Sequence, residues 1–252
     1  MLLDVVFEFR EQAARLEGLS PQEILAFAIE HYSPRVAIAF SGAGSVALID
    51  MAVKLDTPVR IFSLDTGRLH PETYQFIERV RKHYGICVEM FFPQPAAVEK
   101  LVREKGLFSF YRDGHEECCA IRKVEPLRRA LANLSAWITG QRRDQSPATR
   151  DHIAVFELDS AFSSPERRLA KFNPLANWSQ AQLWNYIRTH RVPFHPLHQQ
   201  GYSSIGCQPC TRPILPGQQE RDGRWWWEDE VKKECGLHAG NGCAPPEKVT
   251  AR

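Results

Sequence analysis

Apolar residues recur at helical spacing in QEILAFAIEHY, residues 22–32, and the run stops just ahead of Pro34, which disfavours helix at the residue before it. The period then changes. VAIAF (36–40) is a short unbroken apolar run that ends in the polar turn SGAGS, and VALIDMAVKL (46–55) returns to helical spacing, so the stretch predicts strand, glycine turn and helix. The order repeats. A second strand in VRIFSLDTG (59–67) runs into polar residues, and a helix starts near Pro71 within HPETYQFIERVRKHYG. A third strand falls in ICVEMFF (86–92), a fourth in AWITG (136–140) and a fifth in IAVFELD (153–159). Two helical stretches, AAVEKLVREKG (96–106) and IRKVEPLRRALAN (121–133), lie between the third and fourth strands. Beyond residue 160 the pattern loosens into loops around one clear helix, SQAQLWNYIRTH (179–190), with Ser179 as N-cap. No internal repeat of 20–50 residues is present.

Strands alternating with helices predict an α/β fold: a mainly parallel sheet with helices on both faces. Ligands of such sheets bind beyond the carboxyl ends of the strands. Three polar segments leave the strands at that edge: SGAGS, SLDTG and TGQRRDQSPATR.

The 252 residues suffice for one large domain with appendages, and no disulfide staple is needed for stability. No apolar run approaches the roughly 20 residues of a membrane span, and Asp4, Glu8 and Arg10 interrupt the N-terminal apolar stretch in a way that fits poorly with the basic and uninterrupted apolar regions of a signal peptide. The expectation is a cytoplasmic protein without membrane contact. A net charge of +2 argues against a general nucleic-acid binder, so the local basic clusters RRDQ, TRDH and RDGR point to small anionic ligands. Seven cysteines in a cytoplasmic chain indicate metal binding or thiol chemistry rather than a disulfide framework.

Four of those cysteines form two close pairs: Cys118 with Cys119, and Cys207 with Cys210 in a CxxC. Four thiolates suit an iron–sulfur cluster or a structural zinc, and unligated thiols are the plainer alternative. Adjacent side chains on a helix diverge by about 100°, so both members of the first pair reach one centre only from a distorted or terminal turn. Gly114 just upstream gives the backbone that freedom. A cluster accepts diverging thiolates more easily than one small ion and is the favoured reading. Of the other three cysteines, Cys87 sits in the third apolar run and reads as a core residue. Cys243 reads as a bystander. Cys235 stands beside Lys232 and Lys233 with His238 three residues on, and cationic surroundings favour the reactive thiolate.

RDGHEECCAIRKVEPL, TGQRRDQSP, GYSSIGCQPCTRP and GRWWWEDEVKKECGLHAG together resemble the assimilatory adenylylsulfate reductases, the iron–sulfur branch of the family that also holds the phosphoadenylylsulfate reductases. The likeness runs from about residue 35 to 242. It implies an adenine-nucleotide hydrolase-like fold, a 4Fe–4S cluster held by Cys118, Cys119, Cys207 and Cys210, and thioredoxin as reductant. Cys235 becomes the nucleophile that attacks the sulfur of adenylylsulfate, giving an S-sulfonated cysteine and AMP. Lys123, Arg150, Arg221, Arg224 and His238 are assigned by the resemblance to the phosphosulfate end, and Ser41, Gly42, Leu64 and Gly140 to the adenosine end.

The chain departs from the family at Gly44 and Ser45, where the reductases usually carry an acidic pair. Residues 1–215 are expected to form the nucleotide-binding domain with the iron–sulfur site, and 216–252 a mobile lid and tail carrying Cys235. The tryptophans of GRWWWEDE are expected to pack that segment onto the body. Competing readings are a phosphoadenylylsulfate reductase, an ATP-dependent tRNA sulfur-transfer enzyme, for which SGAGS lacks the expected loop, and a non-enzymatic iron–sulfur regulator. A homo-oligomer is left open.

Overall fold

The computed structural model describes residues 2–229 and 233–237. Helix α1 (Leu2–Glu17), absent from the expected set, precedes α2 (Pro21–Tyr32), whose start is fixed by a reciprocal cap in which the amides of Ser20 and Glu23 each donate to the other's side chain. Then follow β1 (Val36–Ala39), α3 (Ala43–Lys54), β2 (Arg60–Leu64), α4 (Pro71–Tyr84), β3 (Glu89–Phe91) and α5 (Pro95–Lys105). Two single-turn helices, α6 (Phe110–Asp113) and α7 (Glu116–Cys119), lead through a π-helical turn at Ala120–Val124 into α8 (Glu125–Leu131). The remainder comprises β4 (Ala136–Ile138), the short α9 (Pro147–Arg150), β5 (Phe156–Leu158), β6 (Ala170–Phe172) and α10 (Gln180–Thr189), which Ser179 caps as expected.

The six strands lie in the order β3-β2-β1-β4-β6-β5, parallel except for β5. Ile38 of β1 stands opposite Ile61 on one side and Ile138 on the other. Alternation along each strand serves two cores. Val36, Ile38 and Ile138 pack with the apolar sides of α2, α3 and α10, while Ala37 and Trp137 pack with Leu127 and Leu131 of α8. Both faces are therefore covered, as the alternating pattern predicts.

Two expectations are corrected. The fifth strand is an antiparallel edge, and the unforeseen β6 lies between it and β4. Lys171 in the middle of β6 breaks the apolar run that would have announced a strand; it is buried by pairing with Glu157 of β5 at 2.8 Å. Cys87 is exposed rather than in the core, because the third strand begins only at Glu89. Among the described residues no helix is long and apolar enough to cross a membrane.

Connections from β1 and β4 leave the sheet in opposite directions, which makes their carboxyl ends the switch point where such sheets bind ligands. Here two glycine backbones are pressed together. A Cβ on Gly44 would lie 2.6 Å from the Gly140 carbonyl oxygen, and one on Gly140 would lie 2.6 Å from the Ser45 nitrogen.

Candidate active site

That glycine contact forms the floor of a cavity of about 250 Å3. The SGAGS loop above it is held by Ser45, whose buried hydroxyl oxygen accepts from the Ser41 and Gly42 amides at 2.9 Å each and donates to the Gly42 carbonyl at 2.8 Å. The loop is thus ordered without a carboxylate. On the neighbouring strand, Leu64 leads into the SLDTG turn, where Asp65 accepts from the amide of Gly67, a residue with φ of 67°. Thr66 of the same turn contacts the Cys207 sulfur at 3.2 Å, and its carbonyl accepts from Arg122 at 2.7 Å. One turn therefore faces the cavity and braces a cysteine.

Gly114, at φ 83°, frees the backbone to turn into α7, and the π-helical widening follows directly after Cys119. Such single-turn insertions recur at functional sites. The adjacent thiols just before this one share one centre: Cys119 is buried, Cys118 is half-buried, and both reach a small void that Cys207 and Cys210 also line. The second pair is fixed by a 3₁₀ turn at Gln208–Cys210 and by Thr211, which donates to the Cys207 carbonyl at 2.8 Å. None of the four is in a disulfide.

Burial pushes the thiols of Cys118 and Cys119 up, and that of Cys210 up to about 12, so neutral thiols here gain from a cation that binds the deprotonated form. The spacing selects among metals. Sulfurs around one zinc at about 2.3 Å stand about 3.8 Å apart. Among the described residues, no three of these sulfurs lie within 4.8 Å of one another. The four residues fit a larger inorganic centre better than a single ion.

Cations crowd the cavity, and one of them, Lys123, lines the cysteine void as well. Lys123, Arg150, Arg221 and Arg224 are all buried, and all four line the cavity together with Cys235. Burial alone would push the Lys123 ammonium down, but the Cys119, Cys207 and Cys235 sulfurs override it and hold it above its ordinary value. Burial, and then the Arg150 charge, pushes Arg221 down; a guanidinium nonetheless stays charged at neutral pH. The Arg150 fork meets Glu234 through Nε at 2.8 Å and Nη2 at 3.1 Å, and Arg221 lies 3.2 Å from the same carboxylate. Gly206 leaves room for Arg224, since a Cβ there would lie 2.3 Å from its Nη2.

Trp225 ties the site together, and nothing in the run of three tryptophans distinguishes it beforehand. It is fully buried with φ of 39°, a conformation costly for a bulky residue, while Trp226 is exposed and Trp227 half-buried. Its ring lies 4.5 Å from the Arg224 guanidinium, 5.1 Å from the Lys123 ammonium and 5.8 Å from the Arg221 guanidinium. His115 stacks on it with ring centroids 4.5 Å apart. The same histidine meets Glu228 through Nδ1 at 2.6 Å and the Glu234 carbonyl through Nε2 at 2.8 Å. His115 thereby clasps the cysteine-bearing helix to the segment that carries Cys235. Its place between a glycine and the paired cysteines was the available signal, although no partner is visible in the sequence.

Of the residues assigned from the sequence, Ser41, Gly42, Leu64, Lys123, Gly140, Arg150, Arg221, Arg224 and Cys235 line one cavity, and Cys207 borders it. His238 lies outside the described residues, as do Lys232 and Cys243. Gln141, not foreseen, also lines the cavity, buried with neither polar atom of its amide bonded to protein.

The family described as the phosphoadenosine phosphosulfate reductase domain matches residues 35–213. The chain is 60% identical over 235 residues to adenosine 5'-phosphosulfate reductase of Pseudomonas aeruginosa (strain LESB58), covering 93% of this chain and 88% of that protein. It is 57% identical over 237 residues to the chloroplastic 5'-adenylylsulfate reductase 1 of Arabidopsis thaliana, covering 93% of this chain but 51% of the plant protein. Among solved structures, phosphoadenylyl-sulfate (PAPS) reductase from Candida auris in a phosphate complex superposes with a TM-score of 0.66 at 28% identity, over 81% of this chain and 96% of that one. Candida glabrata FMN adenylyltransferase, at 14% identity and a TM-score of 0.56 over 96% of this chain and 78% of that one, shares the fold alone.

Proposed function

Because the chain belongs to the phosphoadenosine phosphosulfate reductase family, we propose that it reduces adenylylsulfate to sulfite and AMP, with Cys235 as nucleophile and thioredoxin as the dithiol reductant. The observation that carries this reading is the meeting of Cys235, four buried cations and the glycine floor around one cavity. Adenosine would lie against the loops of Ser41, Gly42, Leu64 and Gly140. The anionic end would meet Lys123, Arg150, Arg221 and Arg224, whose forks suit sulfate and phosphate oxygens.

The Cys235 thiolate attacks the sulfate sulfur; an S–S bond forms, the S–O bond to the phosphate breaks, and AMP departs with that electron pair. A thiolate of the reductant then attacks Cys235 Sγ, sulfite leaves with the S–S pair, and the second thiol of the reductant releases Cys235 from the mixed disulfide. The dithiol is oxidised by two electrons as the sulfur gains two. Cys118, Cys119, Cys207 and Cys210 would hold a 4Fe–4S cluster. When bound, it supplies a compact anionic centre beside Lys123 that ties the two cysteine-bearing segments together. Cys235 is half-buried against Trp225 and the cysteine pairs, so a protein thiol reaches it only after the segment from about residue 216 onward swings out. The setting of this exchange is the cytoplasm.

The test is sulfite release by anaerobically prepared protein supplied with thioredoxin and either adenylylsulfate or phosphoadenylylsulfate. The reading expects turnover on the unphosphorylated nucleotide to dominate and to vanish in Cys235→Ser. Preference for the 3'-phosphorylated nucleotide, or turnover that survives the substitution, contradicts it.

A further inference from the structure

The residue immediately before the nucleophile, Glu234, engages two of the buried guanidinium groups that line the cavity. Glu234 Oε1 accepts from Arg150 Nε at 2.8 Å and from Thr149 Oγ1 at 3.0 Å, while Oε2 accepts from Arg150 Nη2 at 3.1 Å and lies 3.2 Å from Arg221 Nη2. This two-pronged pairing is the geometry in which a guanidinium grips a sulfate or phosphate. The backbone is held as well, with the Glu234 carbonyl on His115 and the Lys233 carbonyl on Arg221. Side chain and main chain therefore fix Cys235 at the wall of the cavity.

Two features indicate that this carboxylate gives way. Arg150 and Arg221 are buried close enough for each to feel the other's charge, so the cradle requires an anion whether or not substrate is present. Arg150 and Arg221 also line the cavity beside Cys235, so an anion bound there would meet the same two guanidinium groups that the carboxylate now holds.

We propose that Glu234 is an internal stand-in for the anionic end of the substrate: it seats Arg150, Arg221 and Cys235 in the empty site, and binding of adenylylsulfate displaces it from the two guanidinium groups. The exchange of one anion for another keeps the cradle paired throughout. Apparent substrate affinity is then the intrinsic affinity divided by the internal competition, as for any site open only part of the time. Glu234 is a positioning residue, since it leaves the cradle before chemistry and acts through the two arginines and the neighbouring cysteine. The inference rests on the functional reading above.

Calorimetric titration of AMP and of adenylylsulfate into Cys235→Ser protein tests it, comparing Glu234 with Glu234→Gln and Glu234→Ala in that background. The neutral amide keeps the shape and removes the competing charge, so Glu234→Gln is expected to bind adenylylsulfate about tenfold more tightly. In the active protein, Glu234→Gln should lower KM in proportion to the tighter binding, because the carboxylate competes for the two arginines only in the empty site. Equal or weaker nucleotide binding by both variants, with wild-type affinity measurable, overturns this inference alone. Failure of adenylylsulfate to bind any of the three proteins removes the functional reading and this inference with it.

Discussion

At the scale of single residues the site is governed by how buried charges are matched. Lys123, Arg221 and Arg224 all lie over the faces of one indole, Trp225, which offers them partial negative charge where water does not reach. Trp225→Ala is expected to lower stability by about 3–5 kcal/mol and to raise KM for adenylylsulfate. Trp225→Phe, which retains a ring face, should recover most of the affinity; steady-state kinetics with equilibrium urea unfolding checks both. If Ala and Phe behave alike, the ring is packing only. In the nucleophile's case, Cys235→Ser should abolish turnover yet keep the visible absorbance that the proposed iron–sulfur cluster would give, whereas Cys207→Ser should lose that absorbance first. The chemistry of these positions was legible because cysteines and basic residues carry it openly in CC, CxxC and KKEC. Trp225 and Glu234 were not. Three identical neighbours hide which one the backbone turns inward, and a glutamate looks like any surface acid until its arginines are placed beside it.

Among the elements, the two strand ends that make the floor depend on residues without side chains. Gly44→Ala or Gly140→Ala places a methyl within 2.6 Å of backbone, where the only relief is to part β1 from β4. The cost should be about 1–3 kcal/mol, with a rise in KM for the nucleotide. Gly18→Ala, where a Cβ meets nothing within 4 Å, should change stability by less than about 0.5 kcal/mol. Thermal melts with binding titrations read both, and an unchanged KM in the two loop variants would show that the floor does not touch the ligand. Strands β1 and β2 and helices α3 and α10 were legible because their apolar residues follow one period without interruption. In β6 the buried Lys171 masked a strand whose stability comes from a cross-strand pair, a tertiary fact. The π-helical turn after Cys119 was foreseen only as a need for distortion, since a five-residue change in hydrogen bonding leaves no mark in hydrophobic spacing.

For the molecule as a whole, three histidines at or near the cavity, the buried His70 and His195 and the half-buried His198, have protons linked to folding. Burial, and then the charges of His198 and His70, pushes His195 down to about 4, and burial lowers His70 and His198 as well. In the unfolded chain each returns to about 6.5 and takes up a proton that the folded state refuses. Stability should therefore be complete above about pH 6.5 and decline as pH falls toward about 4. His195 accepts the Leu197 amide at Nδ1, so its proton sits on Nε2 facing Thr73, and protonating Nδ1 breaks that bond. Urea midpoints measured from pH 7.5 to 4.5 should fall, and His195→Gln should flatten part of the slope; a flat wild-type profile contradicts the linkage. The central claim concerns where the sulfur of the substrate goes. It is tested most directly by mixing anaerobic protein with adenylylsulfate in the absence of any dithiol, then measuring released AMP and locating the modified peptide by mass spectrometry. The account predicts one AMP per chain and the added mass of one SO3 on Cys235, discharged as sulfite when thioredoxin is added. An adduct on Cys243 or Cys87, or full turnover with no adduct on any cysteine, would contradict it.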